Sequence, residues 1–461
     1  MFGLLRRRPG RNLSAAQLFV GSFALLILAG TVGFQTLPGL YTGEGLSWSD
    51  ALFTATSAVC VTGLIVVDTA TYFTIWGQAY ILFLIQLGGL GMMTFTSLIL
   101  LTLGLRLSLR QEKLTRSTTR VAPHLDSRLL TRHIVLFTFG IEAVGMVLLY
   151  VFWIPDLGVE GALWPSIFHS ISAFCNAGFS TFTDSLMLSR DRPMILLVVM
   201  ALIVLGGIGF LALEELYLQQ KAKRGHRSFR TSLHTRIVLI ATGLLLVSGW
   251  MMLTLFEWEN TLRDMSLVDR LVNGLFMSVT PRTAGFNTID YAEAANNTNF
   301  LTILLMSIGG SPGSTAGGLK TTTFALIGLL AWSKMRGFEL TQVWGRTVPE
   351  ETIQRSVGLF VVVFGTVTVA IFILTSSELE WIAHARAGGF LSFMFEAVSA
   401  FNTVGLSMGV TGDLSNTGQF TTILLMFVGR VGPLSFAAAL VRRHAAVKAP
   451  LRFAYEDVAI G

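Results

Sequence analysis

The stretch Ser57-Ala-Val-Cys-Val-Thr-Gly63-Leu64 stands between two long apolar runs, and related stretches recur in each later quarter of the chain. The other copies are Ser172-Ala-Phe-Cys-Asn-Ala-Gly178-Phe179, Val279-Thr-Pro-Arg-Thr-Ala-Gly285-Phe286 and Ser399-Ala-Phe-Asn-Thr-Val-Gly405-Leu406. A second glycine follows the motif glycine after 24 to 28 residues, at Gly88, Gly206, Gly309 and Gly429. Two landmarks that keep their spacing through four copies indicate an internally repeated fold.

The composition is typical of a membrane protein. Of the 461 residues, 52% are hydrophobic and only 13% are charged, and the mean hydropathy is +0.65. Soluble proteins carry about 25% charged residues. The two cysteines, Cys60 and Cys175, are too few for a disulfide framework or a zinc site. The net charge of +6 is spread over basic clusters between apolar runs, and this distribution argues against a nucleic-acid partner.

Eight apolar runs are long enough to cross a bilayer at about 1.5 Å per helical residue. They cover residues 15–37, 73–105, 129–154, 193–218, 233–256, 300–332, 358–375 and 421–441. The four motifs lie at the ends of shorter apolar segments of about 12 residues, too short to cross as helices.

The basic residues predict where the short segments go. Of the 33 Lys and Arg residues, 25 lie in five clusters: before the first run, at 106–132, 221–236 and 334–355, and after residue 441. The positive-inside rule places all five clusters in the cytoplasm. Each repeat then starts and ends inside and crosses twice, so the motif segment must enter the membrane from outside and return.

We therefore predict an all-α integral membrane protein of the cytoplasmic membrane, with both termini in the cytoplasm. Its fold class is four tandem membrane helix–pore loop–membrane helix repeats, with eight full spans, arranged pseudo-fourfold around one central pore. The predicted boundaries are a cytoplasmic N-terminus at 1–14, repeats at 15–105, 129–220, 233–333 and 354–443, and a cytoplasmic C-terminal tail at 444–461.

Each pore loop is predicted to begin as a short helix. Ser47 with Asp50, and Ser266 with Asp269, fit a helix N-cap followed by an acidic residue. A helix that enters from outside directs its negative C-terminal end toward the middle of the membrane, which favours a cation. The chain then returns in extended form, and glycine permits the dihedral angles that turn successive carbonyls inward.

Rings of backbone carbonyls replace the hydration shell of K⁺ in selectivity filters. The predicted K⁺ ligands are the motif glycine and the two residues before it in each copy: Val61, Thr62, Gly63, Asn176, Ala177, Gly178, Thr283, Ala284, Gly285, Thr403, Val404 and Gly405. An alternative use of any one glycine is close helix packing, but the fourfold register favours a filter.

Other polar residues receive supporting roles. Arg282, inside the third motif, is expected to tie the filter turn, and His169 and Glu396 are expected to brace short helices. Acidic residues on the outer connections are expected to concentrate cations near the mouth: Glu44, Asp156, Glu257, Asp290 and Glu378.

With these motifs the chain resembles the Trk/Ktr/HKT superfamily of potassium transporters, from the first span to Val441. In that superfamily a flexible intramembrane loop breaks the second span of the third repeat, and residues 309–320 interrupt the matching run here. Arg430 matches a basic residue in the fourth repeat. The resemblance implies a gate made of Gly309, Gly310, Ser311, Pro312, Gly313, Ser314, Thr315, Ala316, Gly317, Gly318, Lys320 and Arg430.

The resemblance is closest to the KtrB-type membrane subunit, because the chain lacks room for the extra pair of spans that precedes the first repeat in TrkH-type members. It implies K⁺ uptake, stimulated by Na⁺, by a homodimer in membrane lipid. It also implies a cytoplasmic KtrA-type nucleotide-binding ring that opens the pore with ATP and closes it with ADP. Gly63, where sodium-passing members tend to have serine, favours K⁺. The chain has no G-x-x-x-x-G-K-[ST] pattern, so the nucleotide is expected on the partner.

Two other function classes remain as alternatives. A secondary carrier would bind a small solute at broken helices near the midplane, but carriers usually have inverted or half-chain repeats, and these four units run in the same sense. A membrane-embedded enzyme would need clustered nucleophiles, bases or metal ligands in the spans, and the seven histidines and two cysteines do not cluster.

Overall fold

The computed structural model describes residues 15–102, 127–225, 231–378 and 389–440. The predicted N-terminal segment 1–14 and the tail 444–461 lie outside the described residues. In the first half of the chain the helices are α1 (Ala15–Thr36), α2 (Trp48–Val59), α3 (Thr69–Tyr72), α4 (Ile75–Thr102), α5 (Ser127–Cys175), α6 (Pro193–Ile208) and α7 (Phe210–Arg224), with a 3₁₀ turn at Met187–Ser189.

The second half continues the same order of long and short helices. Its elements are α8 (Leu233–Glu257), α9 (Leu267–Val279), α10 (Asn296–Met306), α11 (Thr321–Met335), β1 (Gln342–Val343), β2 (Arg346–Thr347), α12 (Glu350–Ser377), α13 (Gly389–Phe401), α14 (Asn416–Val431) and α15 (Pro433–Leu440), with a 3₁₀ turn at Thr411–Asp413. The two short strands pair antiparallel as a hairpin, and an isolated antiparallel bridge joins Tyr41 to Phe73; both depart from the predicted all-α fold.

Short helices precede all four glycine motifs. Three are α2, α9 and α13, and the fourth is the end of α5, which is kinked at Gly158 (φ 73°). The Ser47 side chain accepts a hydrogen bond from the Asp50 N–H at 3.1 Å, and Ser266 accepts one from the Asp269 N–H at 3.3 Å. These N-caps fix where α2 and α9 begin, as the sequence predicts.

The long helices surround the short ones. Phe53, Phe168 and Phe395, on three of the short helices, are fully buried. Leu25 on α1 and Phe364 on α12 are exposed to more than 60%, as expected for side chains that face hydrocarbon. Close contacts between long and short helices depend on glycine.

Within the described residues, five helices are long and apolar enough to cross a membrane, or six if α6 and α7 together count as one span. The predicted all-helical membrane protein with several apolar spans and a broken helix is confirmed, whereas the count of eight full spans stays a prediction. Gly209 (φ 94°) bends the chain by 100° between α6 and α7. Gly432 (φ 83°) separates α14 from α15. Glycine adopts these positive φ values without the steric cost that other residues incur.

Candidate functional site

The extended segments after the short helices have the same unusual backbone in all four copies. The motif glycines have positive φ values: Gly63 95°, Gly178 71°, Gly285 80° and Gly405 92°. The residues two positions earlier do as well: Val61 56°, Asn176 60°, Thr283 73° and Thr403 51°. Positive φ is strained for β-branched residues and concentrates at functional sites. The glycines were predicted from the sequence, whereas nothing in the sequence signals the strained residue two positions earlier.

The four glycines form a closed ring. A Cβ built on each would overlap or crowd the carbonyl oxygen of the residue before the next glycine, and would lie 3.0–3.2 Å from the next glycine's Cα. For Gly63, Gly178, Gly285 and Gly405 in turn, the crowded carbonyl oxygen belongs to Ala177, Ala284, Val404 and Thr62. Because the last contact returns to the first segment, the four segments meet at one place. The ring has no room for a side chain on its glycines.

Hydrogen bonds to the short helices orient these segments. The Thr62 N–H donates to the Ser57 carbonyl at 2.8 Å, and Ala177 and Val404 make the matching bonds to Ser172 and Ser399. The Gly63 N–H donates to the Ser57 hydroxyl at 3.1 Å. A peptide N–H and the carbonyl of the preceding residue point in opposite directions. The carbonyls of Val61 and Thr62 therefore point away from the helix that binds the N–H groups.

A cavity of about 410 Å³ lies against the ring and is lined by all four glycines. Three aspartates also line it: Asp68, Asp184 and Asp290. Asp290 was predicted at the mouth, and Asp68 and Asp184 were missed. Their position after the motifs, on the side where the short helices begin, was the available signal. Three carboxylates at this cavity favour the entry of cations.

The other acidic residues expected at the mouth lie elsewhere. Glu44 is exposed away from the cavity lining, and Asp156 pairs with Arg192. Glu257 is fully buried and accepts from the Ala295 N–H at 2.8 Å.

Glu378 is also buried, and accepts from the Ser415 hydroxyl at 2.6 Å. Glu257 and Glu378 thus hold the starts of α10 and α14, where unpaired N–H groups attract a carboxylate. The expectation that these two concentrate cations is wrong.

Residues 307–320 leave the helix between α10 and α11 and form an irregular loop, hereafter the intramembrane loop. Its two ends are fastened together. The Gly309 N–H donates to the Leu319 carbonyl at 2.8 Å, and the Thr321 hydroxyl donates to the Gly309 carbonyl at 2.7 Å. The Thr321 N–H donates to the Gly310 carbonyl at 3.0 Å. The loop therefore has a fixed base and a body of about ten residues.

The body of the intramembrane loop is bound to the second and fourth repeats. Its N–H groups donate to backbone carbonyls there: Ser311 to Gly207 at 2.9 Å, Thr315 to Gly206 at 3.3 Å and Gly318 to Gly429 at 3.2 Å. In the other direction, the Phe210 N–H at the start of α7 donates to the Gly313 carbonyl at 3.0 Å. The bend at Gly209 brings α7 to this position.

Two basic side chains, the buried Arg430 and the half-buried Lys320, bind the same loop. Arg430 is fully buried and donates to the carbonyls of Thr315 and of Gly88, the latter at 3.1 Å. The Lys320 ammonium donates to the Ala316 carbonyl at 2.6 Å. Among the described residues, neither group is paired with a carboxylate. Uncompensated positive charge in a low-dielectric interior repels cations strongly.

The sequence comparison decides the family. Residues 27–446 match a family model described as "TrkH: Cation transport protein". The chain belongs to this family. The family confirms the resemblance stated above, and it makes the chain a transport protein rather than an enzyme.

Three relatives of this TrkH-family chain are similar over nearly their full length. The potassium/sodium uptake protein NtpJ of Enterococcus hirae is 36% identical and covers 99% of this chain and 100% of its own. The Ktr system potassium uptake protein B of Bacillus subtilis is 40% identical, over 92% and 93%. The protein of the same name from Vibrio alginolyticus is 38% identical, over 91% and 90%.

The fold also matches a solved structure. The crystal structure of the potassium transporter TrkH from Vibrio parahaemolyticus has a TM-score of 0.75, with 20% identity over 94% of this chain and 87% of that one. This likeness shows a TrkH-like fold: an all-helical, multi-pass membrane protein with several apolar spans and a broken helix.

Arg282 lies where the third repeat of this TrkH-family chain departs from the others. Its guanidinium donates to the Thr321 hydroxyl at 3.3 Å, at the fixed base of the intramembrane loop. The equivalent residue of the fourth motif, Asn402, accepts from the Leu319 N–H at 3.2 Å. The residue three positions before the motif glycine therefore contacts the loop in two repeats. The sequence predicted that Arg282 ties the filter turn, and its contact with the base of the loop was not predicted.

Proposed function

We propose that this protein takes up K⁺ across the cytoplasmic membrane through the ring of four glycine segments. The observation that carries the proposal is the closed ring, in which the four motif glycines each pack against the carbonyl of a neighbouring segment. A closed circle of backbone carbonyls can replace the water around a K⁺ ion without any carboxylate. The names of the relatives agree with this substrate.

The path begins in the cavity lined by Asp68, Asp184 and Asp290. The carboxylates raise the local concentration of cations, and the C-terminal ends of the short helices favour positive charge at the ring. The proposed K⁺ ligands are the carbonyls of Val61, Thr62 and Gly63 and of the three matching segments. Strained backbone at Val61 and its counterparts supports this role, because such strain is retained where a site requires it.

The intramembrane loop, with Lys320 and Arg430, is the proposed gate. It lies against the second glycine landmarks of the second and fourth repeats, and Arg430 also reaches Gly88 of the first. A cation leaving the ring would meet these two basic groups there. Passage then requires the loop to move away together with its charges.

Regulation is proposed to come from partners, in line with the relatives named as components of a Ktr system. We expect a homodimer docked on a cytoplasmic nucleotide-binding ring, with ATP opening and ADP closing the pore. Both termini are expected in the cytoplasm. Na⁺ is expected to stimulate uptake and to pass less readily than K⁺; the name of NtpJ includes both ions.

Ion flux in reconstituted vesicles tests the proposal. Purified protein in liposomes loaded with K⁺ should take up radioactive Rb⁺ with no organic solute present, and addition of the regulatory ring with ATP should increase the rate. The control is an equal amount of vesicles without protein. Uptake that requires an organic co-substrate would instead support a secondary carrier and would exclude the proposed pore.

A further inference from the structure

Every repeat has two positions in the same register near the outer end of its filter segment. One lies on the short helix nine residues before the motif glycine, and the other lies two residues after that glycine. The four pairs are Thr54 and Ile65, His169 and Ser180, Phe276 and Asn287, and Glu396 and Ser407. The second member of each pair sits directly beyond the ring, on the cavity side.

In the second repeat this pair is a hydrogen-bonded brace. A His169 ring nitrogen, Nε2, lies 2.9 Å from the Ser180 hydroxyl, and its Nδ1 lies 2.8 Å from the Pro165 carbonyl. The Ser180 hydroxyl also accepts from the Phe182 N–H at 2.9 Å. The imidazole stacks on the Phe182 ring with the centroids 5.0 Å apart. Its position is therefore fixed on both sides.

In the fourth repeat a carboxyl group takes the same place. Glu396 is fully buried, and its Oε1 accepts from the Thr411 hydroxyl. That hydroxyl lies 3.1 Å from the Ser407 hydroxyl, and Ser407 in turn accepts from the Gly409 N–H at 2.9 Å. Ser407 and Thr411 line the outer cavity. Glu396 thus holds the return strand through Thr411.

The first and third repeats have no such brace within the described part of the chain. The Thr54 hydroxyl is buried without a hydrogen-bond partner there, and Ile65 has no polar side-chain atom. Phe276 is apolar, and Asn287 donates instead to the Ile289 carbonyl at 3.0 Å. The ring order places the second repeat between the first and the third. The two braced segments therefore lie on opposite sides of the ring.

We propose that His169 and Glu396 are positioning residues that hold the outer end of the filter along one diagonal and so set its discrimination between K⁺ and Na⁺. Neither side chain touches the ion. They restrict how far two opposite strands can move, and carbonyl positions decide whether a smaller ion is bound as well as K⁺. This inference rests on the proposed function, because it assigns a task only if the ring is the filter.

The test is the ratio of Rb⁺ to Na⁺ flux through the full-length protein in liposomes. A ratio does not depend on how much protein is active. Thr411→Val keeps the shape of the side chain but removes the hydroxyl that Glu396 accepts from, and Ser180→Ala removes the partner of His169. Hydrogen bonds to charged or buried groups are strong enough that each variant should lower the ratio by at least about threefold. Thr411→Ser, which keeps the hydroxyl, should restore it.

Thr54→Val is the matched control, because its hydroxyl is buried without a partner among the described residues, so the ratio should stay unchanged. A second reference is Gly63→Ser, which alters the ring itself. If Thr411→Val and Ser180→Ala keep the wild-type ratio while Gly63→Ser lowers it, the role proposed for His169 and Glu396 is contradicted, whereas the proposed filter is supported. If Gly63→Ser also leaves the ratio unchanged, the proposed filter fails and this inference fails with it.

Discussion

The glycine ring and the region directly beneath it follow opposite rules. In the ring, all four segments share the same two positive-φ positions and the same contact with the next segment. Beneath it, three repeats place the second glycine landmark against the end of their own short helix. A Cβ on Gly88, Gly206 or Gly429 would overlap the carbonyl of Val59, Phe174 or Phe401.

The third repeat breaks this pattern. Gly309 packs against the carbonyls of Gly317 and Leu319, which belong to its own intramembrane loop. The loop then takes the space beneath the ring and binds the landmarks of the other repeats. In the proposed function this difference separates two tasks: the near-symmetric backbone would select an ion, and the one asymmetric segment would control its passage.

The largest effect is expected from a substitution in the ring. A side chain on Gly63 would overlap the Ala177 carbonyl and would have to adopt a φ near 95°, which costs about 1–2 kcal/mol for a residue other than glycine. We expect Gly63→Ser to lower the Rb⁺/Na⁺ flux ratio by at least about tenfold, equivalent to about 1.4 kcal/mol. Paired tracer fluxes in liposomes measure it.

Gly243→Ser is its control, because nothing lies within 4 Å of that glycine's built Cβ. An unchanged ratio in a folded Gly63→Ser protein would contradict the role given to the ring.

A smaller effect is expected beneath the ring. Arg430→Gln removes a buried charge that binds the Thr315 carbonyl, and the hydrogen bonds of a charged group contribute about 1.5–3 kcal/mol. Rb⁺ flux without the regulatory ring should rise about fivefold, with the Rb⁺/Na⁺ ratio unchanged. Deleting residues 313–317 should have the same effect and should weaken nucleotide control.

Arg336→Gln, which alters an arginine stacked on Trp332 outside this region, is the matched control and should behave as wild type. Wild-type flux in both the Arg430→Gln variant and the deletion variant would contradict the gate proposed for residues 307–320.

The smallest effect is expected at the bend between α6 and α7. Gly209 has φ 94°, and a Cβ there would lie 2.6 Å from the Pro312 carbonyl of the loop. Gly209→Ala should displace the loop and raise flux about twofold, since a residue with a Cβ is strained by about 1–2 kcal/mol in this conformation. Gly91 is the equivalent residue of the first repeat, three residues after Gly88, but it lies within the continuous helix α4. Gly91→Ala should change flux less, and equal changes would show that the bend does not support the loop.

The four motif glycines could be predicted from the sequence because the spacing between landmarks shows which residues of the four repeats are equivalent. Four glycines at matching positions, each followed by a second landmark, require no knowledge of side-chain contacts. The bend at Gly209 and the helix break at Gly432 were not predicted, for a physical reason. Gly91 occupies the same position as Gly209 but stays helical, and glycine accepts both conformations. Only the packing around the chain chooses between them.

The acidic residues show a second limit of the sequence. Glu257, Glu378 and Asp290 all follow or precede apolar runs, and their sequence surroundings look alike. The first two are buried at the starts of neighbouring helices, whereas the third lines the outer cavity. Which carboxylate reaches water depends on how separate repeats fit together. The same holds for the strained Val61, Asn176, Thr283 and Thr403, which are of three different residue types.

The single intramembrane loop has a consequence for how such a protein can be encoded. Four identical subunits around one axis would each carry residues like 307–320, and four copies would compete for the one space beneath the ring. Joining four diverged repeats in one gene allows each quarter to mutate alone. Under the proposed function, a single gate can then arise in one quarter while the other three keep the backbone geometry of the ring.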